Sequence, residues 1–198
     1  MILIGITGKA RSGKDTIADY LLQHKWFETI SFANPVKRGI QAAFNLPADK
    51  LNEDKEQIIP ELGYSKRQLY QLFGTEFGRN ILGEDIWVKS AQLTLNKIVE
   101  RSHKQPGIFI DVPGVVISDV RFDNEAEFVK KNNGIIVEVR RESATAVNDH
   151  VSEAGINPML IDYVIENNGT IQQLNDRINE ILGNEIGASY ARTSQKIT

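Results

Sequence analysis

Cysteine is absent from the 198 residues, which excludes disulfides and thiolate metal sites. Histidine is scarce, with three in the chain, and none stands at ligand spacing from another, so a zinc site is not expected. No apolar run is long enough to span a bilayer. The opening MILIGITGKA is short, has no basic stretch before it, and is expected to be neither signal peptide nor anchor. Charge of one sign is also missing: the net value of -3 gives no global reason to expect a nucleic-acid polymer or an anionic membrane as partner. There is no internal repeat and no low-complexity tract. What is there is an ordinary globular balance, 41% hydrophobic and 25% charged, enough to bury one sizeable core. A single-domain cytoplasmic protein is the expectation.

The chain then reads as alternating strands and helices. ILIGIT, residues 2–7, is a short run of the kind buried in a parallel sheet, and beyond Gly13 helical spacing runs through Ile17, Leu21 and Leu22. FETISF, 27–32, offers a second strand, followed by a helix that Asn34 is predicted to cap with Pro35 at its first position. Residues 45–64 are polar, lack a period, and read as a connection or insertion. Ser65 and Gln68 form a capping box before a helix carrying Leu69, Leu72, Phe73 and Phe77, and another helix is predicted over about 84–103. GVVISDVRFDNEAEFVKKNNGIIVEVRR gives strand, helix from about Asn124, and strand over 135–139, hence a parallel pair with a right-handed crossover. YVIENNGT adds a last strand, Thr170 and Gln173 a second capping box, and residues 184–198 read as a frayed tail.

Chemistry concentrates in GKARSGKDT. Gly8 and Gly13 are separated by four residues and followed by Lys14, between an apolar strand and an amphipathic helix. Glycines let consecutive N–H groups curl round a phosphate, the helix start adds its dipole, and the lysine supplies charge to the transferring group. Asp15 stands where Ser or Thr is usual. A carboxylate there can hold Mg²⁺ directly or through water, or orient a nucleophile, or simply favour the helix start. VVISD ends in Asp119, read as the carboxylate that polarises a Mg²⁺ shell, with Asp111 as rival. Arg121, two residues on, points to the same side at the C-terminal edge of the sheet, where open α/β folds bind ligands, and its guanidinium suits a substrate phosphate. Arg79, Arg11, Arg140 and Arg141 are further phosphate candidates. Trp87 and Phe77 could stack on a base or belong to the core, and His150 with Glu153 lies in a polar segment read as a lid.

These residues together resemble the phage-type deoxynucleoside monophosphate kinases of the P-loop kinase superfamily. The resemblance rests on GKARSGKDT, RQLYQLFGTEFGRN with DIWV, SDVRFDNEAEFVKKNNGIIVEVRR, HVSEAG and DYVIENNGTIQQL, and covers most of residues 1–183. It implies a three-layer fold with a central parallel sheet of about five strands, a helical acceptor-binding region over about 34–103 and a lid over about 140–157. It also implies transfer of the γ-phosphoryl group of ATP, with Mg²⁺, to a deoxynucleoside monophosphate. Gly8, Lys9, Arg11, Ser12, Gly13, Lys14 and Thr16 would cradle ATP, Asp15 would sit between phosphate and acceptor, Asp119 would serve the metal, and Asn167 to Gly169 the adenine side. Arg79, Arg121 and Trp87 would serve the acceptor. A homodimer, in a host cytoplasm if phage-encoded, follows from the same resemblance. Asp123 departs from it, standing where proline is frequent. Dephospho-CoA kinases, phosphomevalonate kinases and nucleotide switches are the rival readings.

Overall fold

A computed structural model describes residues 1–46, 56–103, 112–144 and 155–194, with side chains of the last helix to Glu185. Asp111, His150 and Glu153 lie outside the described residues. The chain divides into two compact units, one made of Met1–Thr29 with Val112–Thr198 and the other of Ile30–Asp111.

The first unit is organised by a five-stranded sheet. Its strands are β1 (Ile2–Thr7), β2 (Glu28–Ile30), β5 (Gly114–Ile117), β6 (Ile135–Arg140) and β7 (Tyr163–Glu166), in the order β2-β5-β1-β6-β7. β1 pairs in parallel with β5 on one side and β6 on the other, and β6 pairs in parallel with β7. This is the expected parallel sheet, and its inner strands β1 and β5 are buried almost throughout because both their faces are covered. Helices α1 (Lys14–Lys25) and α6 (Ile171–Ser194) pack on one face. Ile17 and Leu21 of α1 and Leu174 and Ile178 of α6 meet Ile4, Ile6, Val137 and Val139 there. Each such fully buried aliphatic side chain contributes about 1.5–3 kcal/mol. Helix α5 (Asp123–Lys131) covers the other face, where Gly5 leaves room: a Cβ on it would meet Val129 at 3.0 Å and Ile136 at 2.6 Å. The result is three layers with β1 at the centre and its C-terminal end feeding the glycine loop.

Both predicted capping boxes form. The Thr170 N–H donates to Gln173 Oε1 at 2.8 Å and the Gln173 N–H to Thr170 Oγ1 at 3.2 Å. The same exchange links Ser65 and Gln68 at 2.8 and 3.2 Å. The last helix runs to Ser194, past the Leu182 at which its apolar stripe ends.

The second unit is helical: α2 (Ala33–Phe44), α3 (Lys66–Gln71), a π-helix (Leu72–Leu82) and α4 (Ile86–His103), with a small hairpin of β3 (Ile58–Ile59) and β4 (Tyr64–Ser65). The expected helices form, with two differences that have identifiable reasons. α2 starts at Ala33, because the Ser31 hydroxyl accepts the Asn34 N–H at 3.1 Å; Asn34 is inside the helix rather than its cap, and Pro35 sits in the first turn, where its missing N–H costs nothing. The helix after the capping box widens into a π-helix, whose carbonyl at Gly74 accepts the Trp87 indole N–H at 2.7 Å. Gly78 makes this packing feasible, since a Cβ there would lie 2.4 to 2.8 Å from three indole atoms. The unit's core is Val36, Ile40, Ile59 and Leu69, with Phe73 and Trp87 packed against them.

Gly78→Ala should therefore push the indole out of place and destabilise by about 1–3 kcal/mol. With two tryptophans in the chain and Trp26 at 82% exposure, the test is denaturation of a Trp26→Phe background followed by the emission of the remaining indole. A lower midpoint with red-shifted native emission is expected; an unchanged midpoint and spectrum would contradict the packing.

Candidate active site

The turn from β1 into α1 uses backbone that glycine alone accepts cheaply. Gly8 has φ +136, and a Cβ on it would lie 2.3 Å from the Val139 carbonyl oxygen; Gly13 has φ +109. Arg11, at φ 63, takes the left-handed region without that freedom, at a cost of about 1–3 kcal/mol. The Ser12 N–H donates to the Lys9 carbonyl at 3.2 Å and closes the turn. Ser12 is fully buried, and its hydroxyl has no hydrogen-bond partner among the described residues. A buried orphan of this kind, ringed by glycines, is a group that an anionic oxygen would satisfy. α1 begins at Lys14, so the positive end of its dipole faces the loop. The Lys14 ammonium donates to the Lys9 carbonyl at 2.6 Å, closing the loop from the helix side. Asp15 is exposed in the first turn and Thr16 is half-buried beside it.

The segment after β5 is drawn to the same strand end: the Val120 N–H donates to the Ile6 carbonyl at 3.2 Å. Asp119 and Arg121 thus flank a residue fixed against the strand that feeds the loop, Asp119 half-buried and Arg121 exposed. Gly8, Lys9, Arg121 and Arg140 line one cleft of about 190 Å³, with Glu138, Gly155 and Pro158. Three cationic side chains and one carboxylate line it.

Two residues not singled out in the sequence organise these groups. Glu125, 3% exposed, accepts the N–H groups of Arg121 at 2.8 Å and Phe122 at 3.2 Å, fixing the backbone of Arg121 from the first turn of α5. Its signal was its place one helical turn after Arg121. Glu138 accepts from Arg140 Nε at 3.0 Å and from a terminal guanidinium nitrogen at 2.6 Å, with Glu166 at 3.9 Å. The hydrogen bond to Glu138 above all raises the Arg140 guanidinium above its ordinary value. Arg140, a lid candidate, is therefore anchored at the end of β6 in this structure, while Arg141 beside it is exposed. Asp123 opens α5, and its carboxylate accepts the Asn157 N–H at 2.7 Å, a bond that proline could not supply.

On the other side of the loop, the Asn167 side-chain amide donates to the Ser12 carbonyl at 2.8 Å. Gly169 lies in the turn before α6. Arg79 and Trp87 belong to the helical unit. Arg79 is half-buried on the π-helix, and the Trp87 indole is half-buried with its N–H already engaged.

A strand, a strained glycine loop, a lysine opening a helix and an Asp-x-Arg segment thus meet at one end of β1. A family model for deoxynucleotide monophosphate kinases matches residues 2–59 and 46–178. The chain belongs to the deoxynucleotide monophosphate kinase family. It is 31% identical over 190 residues to an Acanthamoeba polyphaga mimivirus protein named as a deoxynucleotide monophosphate kinase, covering 90% of this chain and 94% of that one. It is 31% identical over 149 residues to the deoxynucleoside-5'-monophosphate kinase of Escherichia phage T5, covering 71% of this chain. The chain spans 53% of the phage T5 protein's length. Among solved structures, a Thermus thermophilus protein superposes with a TM-score of 0.51 at 17% identity, over 92% of this chain and 97% of that one, a likeness of fold.

Glu125→Ala should remove the buried carboxylate that accepts two part-buried N–H groups, costing about 1–3 kcal/mol of stability. It should also loosen Arg121. The expected outcome is a lower denaturation midpoint together with a raised KM for the phosphate acceptor and a nearly unchanged KM for ATP; equal effects on both KM values would contradict the positioning.

Proposed function

We propose that the protein transfers the γ-phosphoryl group of ATP to a deoxynucleoside monophosphate, giving the diphosphate and ADP. The observation that carries this reading is the strained loop from Gly8 to Lys14 with its buried Ser12 hydroxyl, which has no hydrogen-bond partner among the described residues, in a chain whose family is that of deoxynucleotide monophosphate kinases. Gly8, Lys9, Arg11, Ser12, Gly13 and Thr16 receive the triphosphate, with N–H groups and the helix dipole aimed at negative charge. Lys14 exchanges its contact on the Lys9 carbonyl for a transferring phosphate oxygen. Arg121 offers the acceptor phosphate a two-pronged contact, and Arg79 and Trp87 are assigned to the acceptor on the strength of the resemblance alone.

Among the described residues no group of three or more His, Asp or Glu stands together. That suits Mg²⁺, which is bound through one or two carboxylates plus substrate phosphates rather than by an all-protein cage. Asp119 and Asp15 are the residues that would hold it, and when bound it neutralises charge on the phosphates. The protein's own work is alignment and charge: donor and acceptor are held in line, and Lys14 and the arginines offset the charge of a loose transition state. Asp15, at the helix start beside Lys14, orients the acceptor oxygen. Among the described residues no helix is long and apolar enough to cross a membrane. ATP and a deoxynucleoside monophosphate are the proposed partners, with a homodimer as the proposed assembly and the cytoplasm as the proposed place of action.

The test is ADP release from Mg-ATP against a panel of deoxy- and ribonucleoside monophosphates, dephospho-CoA and phosphomevalonate. Turnover with one or more deoxynucleoside monophosphates is expected, reduced at least about 10²-fold by Lys14→Ala, on the scale of losing one preorganised charge contact. Turnover confined to another acceptor would overturn the substrate assignment.

A further inference from the structure

The resemblance puts Asn167 on the adenine side, yet its side chain is committed elsewhere. Asn167 is 8% exposed, and its amide nitrogen donates to the Ser12 carbonyl at 2.8 Å, across 155 positions of chain. The direction of that bond is fixed by chemistry, because a backbone carbonyl can only accept and the NH₂ end must face it. The backbone N–H of Asn167 donates to the Arg140 carbonyl at 2.7 Å. One residue thus ties the glycine loop, the end of β6 and the turn after β7 together. Gly13 completes the fit: a Cβ on it would stand 2.4 Å from the same amide nitrogen.

We propose that Asn167 is a positioning residue for the phosphate loop and does not read the adenine base. The Ser12–Gly13 peptide is planar and trans, so its carbonyl and its N–H point in opposite directions. Holding the Ser12 carbonyl on Asn167 turns the Gly13 N–H away from Asn167 and keeps it as a donor for an anion. Loss of the anchor frees that peptide to rotate in a turn where glycine opposes no rotation, and the donor is lost with it. The residue therefore acts on the triphosphate, whatever base it carries.

This inference rests on the reading that the loop binds a donor triphosphate. The test compares full-length wild type with Asn167→Asp and Asn167→Ala, by steady-state KM for ATP and for GTP and by the Kd of inorganic tripolyphosphate. The aspartate variant keeps size and the acceptor oxygen but loses the NH₂ donor and sets a carboxylate against a carbonyl. Losing a hydrogen bond to a charged group predicts a KM for ATP raised about 10- to 100-fold, an unchanged ratio of ATP to GTP, and a parallel loss of tripolyphosphate affinity. A variant whose ATP to GTP ratio shifts while tripolyphosphate binds as before would overturn the proposal in favour of base reading. A variant with only a lowered melting temperature and wild-type constants would overturn it in favour of a purely structural role. Should both variants fail to fold, the wild-type ¹H–¹⁵N signal of the Asn167 side-chain amide decides: it should be the same with ATP and with GTP bound, and a base-dependent shift would overturn the proposal. Wild type that binds neither ATP nor tripolyphosphate would instead sink the kinase reading, and the inference with it.

Discussion

The backbone between Thr7 and Lys14 holds a shape it would not take alone. Gly8 and Gly13 sit at φ +136 and +109, and Arg11 at φ 63 bears strain. The surroundings over-determine the turn. The Val139 carbonyl leaves no room for a Cβ at Gly8, Asn167 grips the Ser12 carbonyl, and Lys14 reaches back to the Lys9 carbonyl. The strain is therefore supported by the sheet itself, since β1 is hydrogen-bonded on both sides by β5 and β6. A phosphate site built this way is preorganised before any ligand arrives, which is where most electrostatic catalysis originates.

The rest of the first unit can be understood as what keeps those supports in register. Ile4 and Ile6 face α1 and α6, while Gly5 lets α5 lie close on the opposite face, so β1 is clamped between layers. α5 in turn carries Glu125, whose buried carboxylate sets the backbone of Arg121. The same helix start holds Asn157 through Asp123. Packing residues and site residues are thus joined by hydrogen bonds one or two steps long.

How much of this the sequence discloses depends on whether the cause is local. The loop, its flanking strand and helix, and both capping boxes are legible because glycine spacing, an apolar run and a Ser/Thr-x-x-Gln pattern act within a few residues. The parallel strands β5 and β6 are legible from their apolar runs around α5. The π-helix is not, since Leu69, Leu72 and Phe73 fit a period of 3.6 equally well and the widening depends on Trp87 meeting Gly74 and Gly78 from another helix. Asn34 suits a cap by residue type, but Ser31, with the same capacity, lies ahead of the actual start and accepts the Asn34 N–H. The β3–β4 hairpin has strands of two residues each, too short for any alternation to register. Glu138 and the inward turn of Asn167 are invisible for a common reason: the sequence shows a polar residue, and only the tertiary structure shows which backbone group or cation it faces.

The most direct test of the account is a crystal structure of the protein with a bisubstrate analogue, adenosine joined through a polyphosphate to a deoxynucleoside. The account predicts phosphate oxygens on the N–H groups of Gly8 to Thr16 and on Lys14, with the acceptor-side phosphate reached by Arg121 and the Asn167 amide still on the Ser12 carbonyl. Phosphates bound away from the glycine loop, or an Asn167 amide released to the adenine ring, would contradict it.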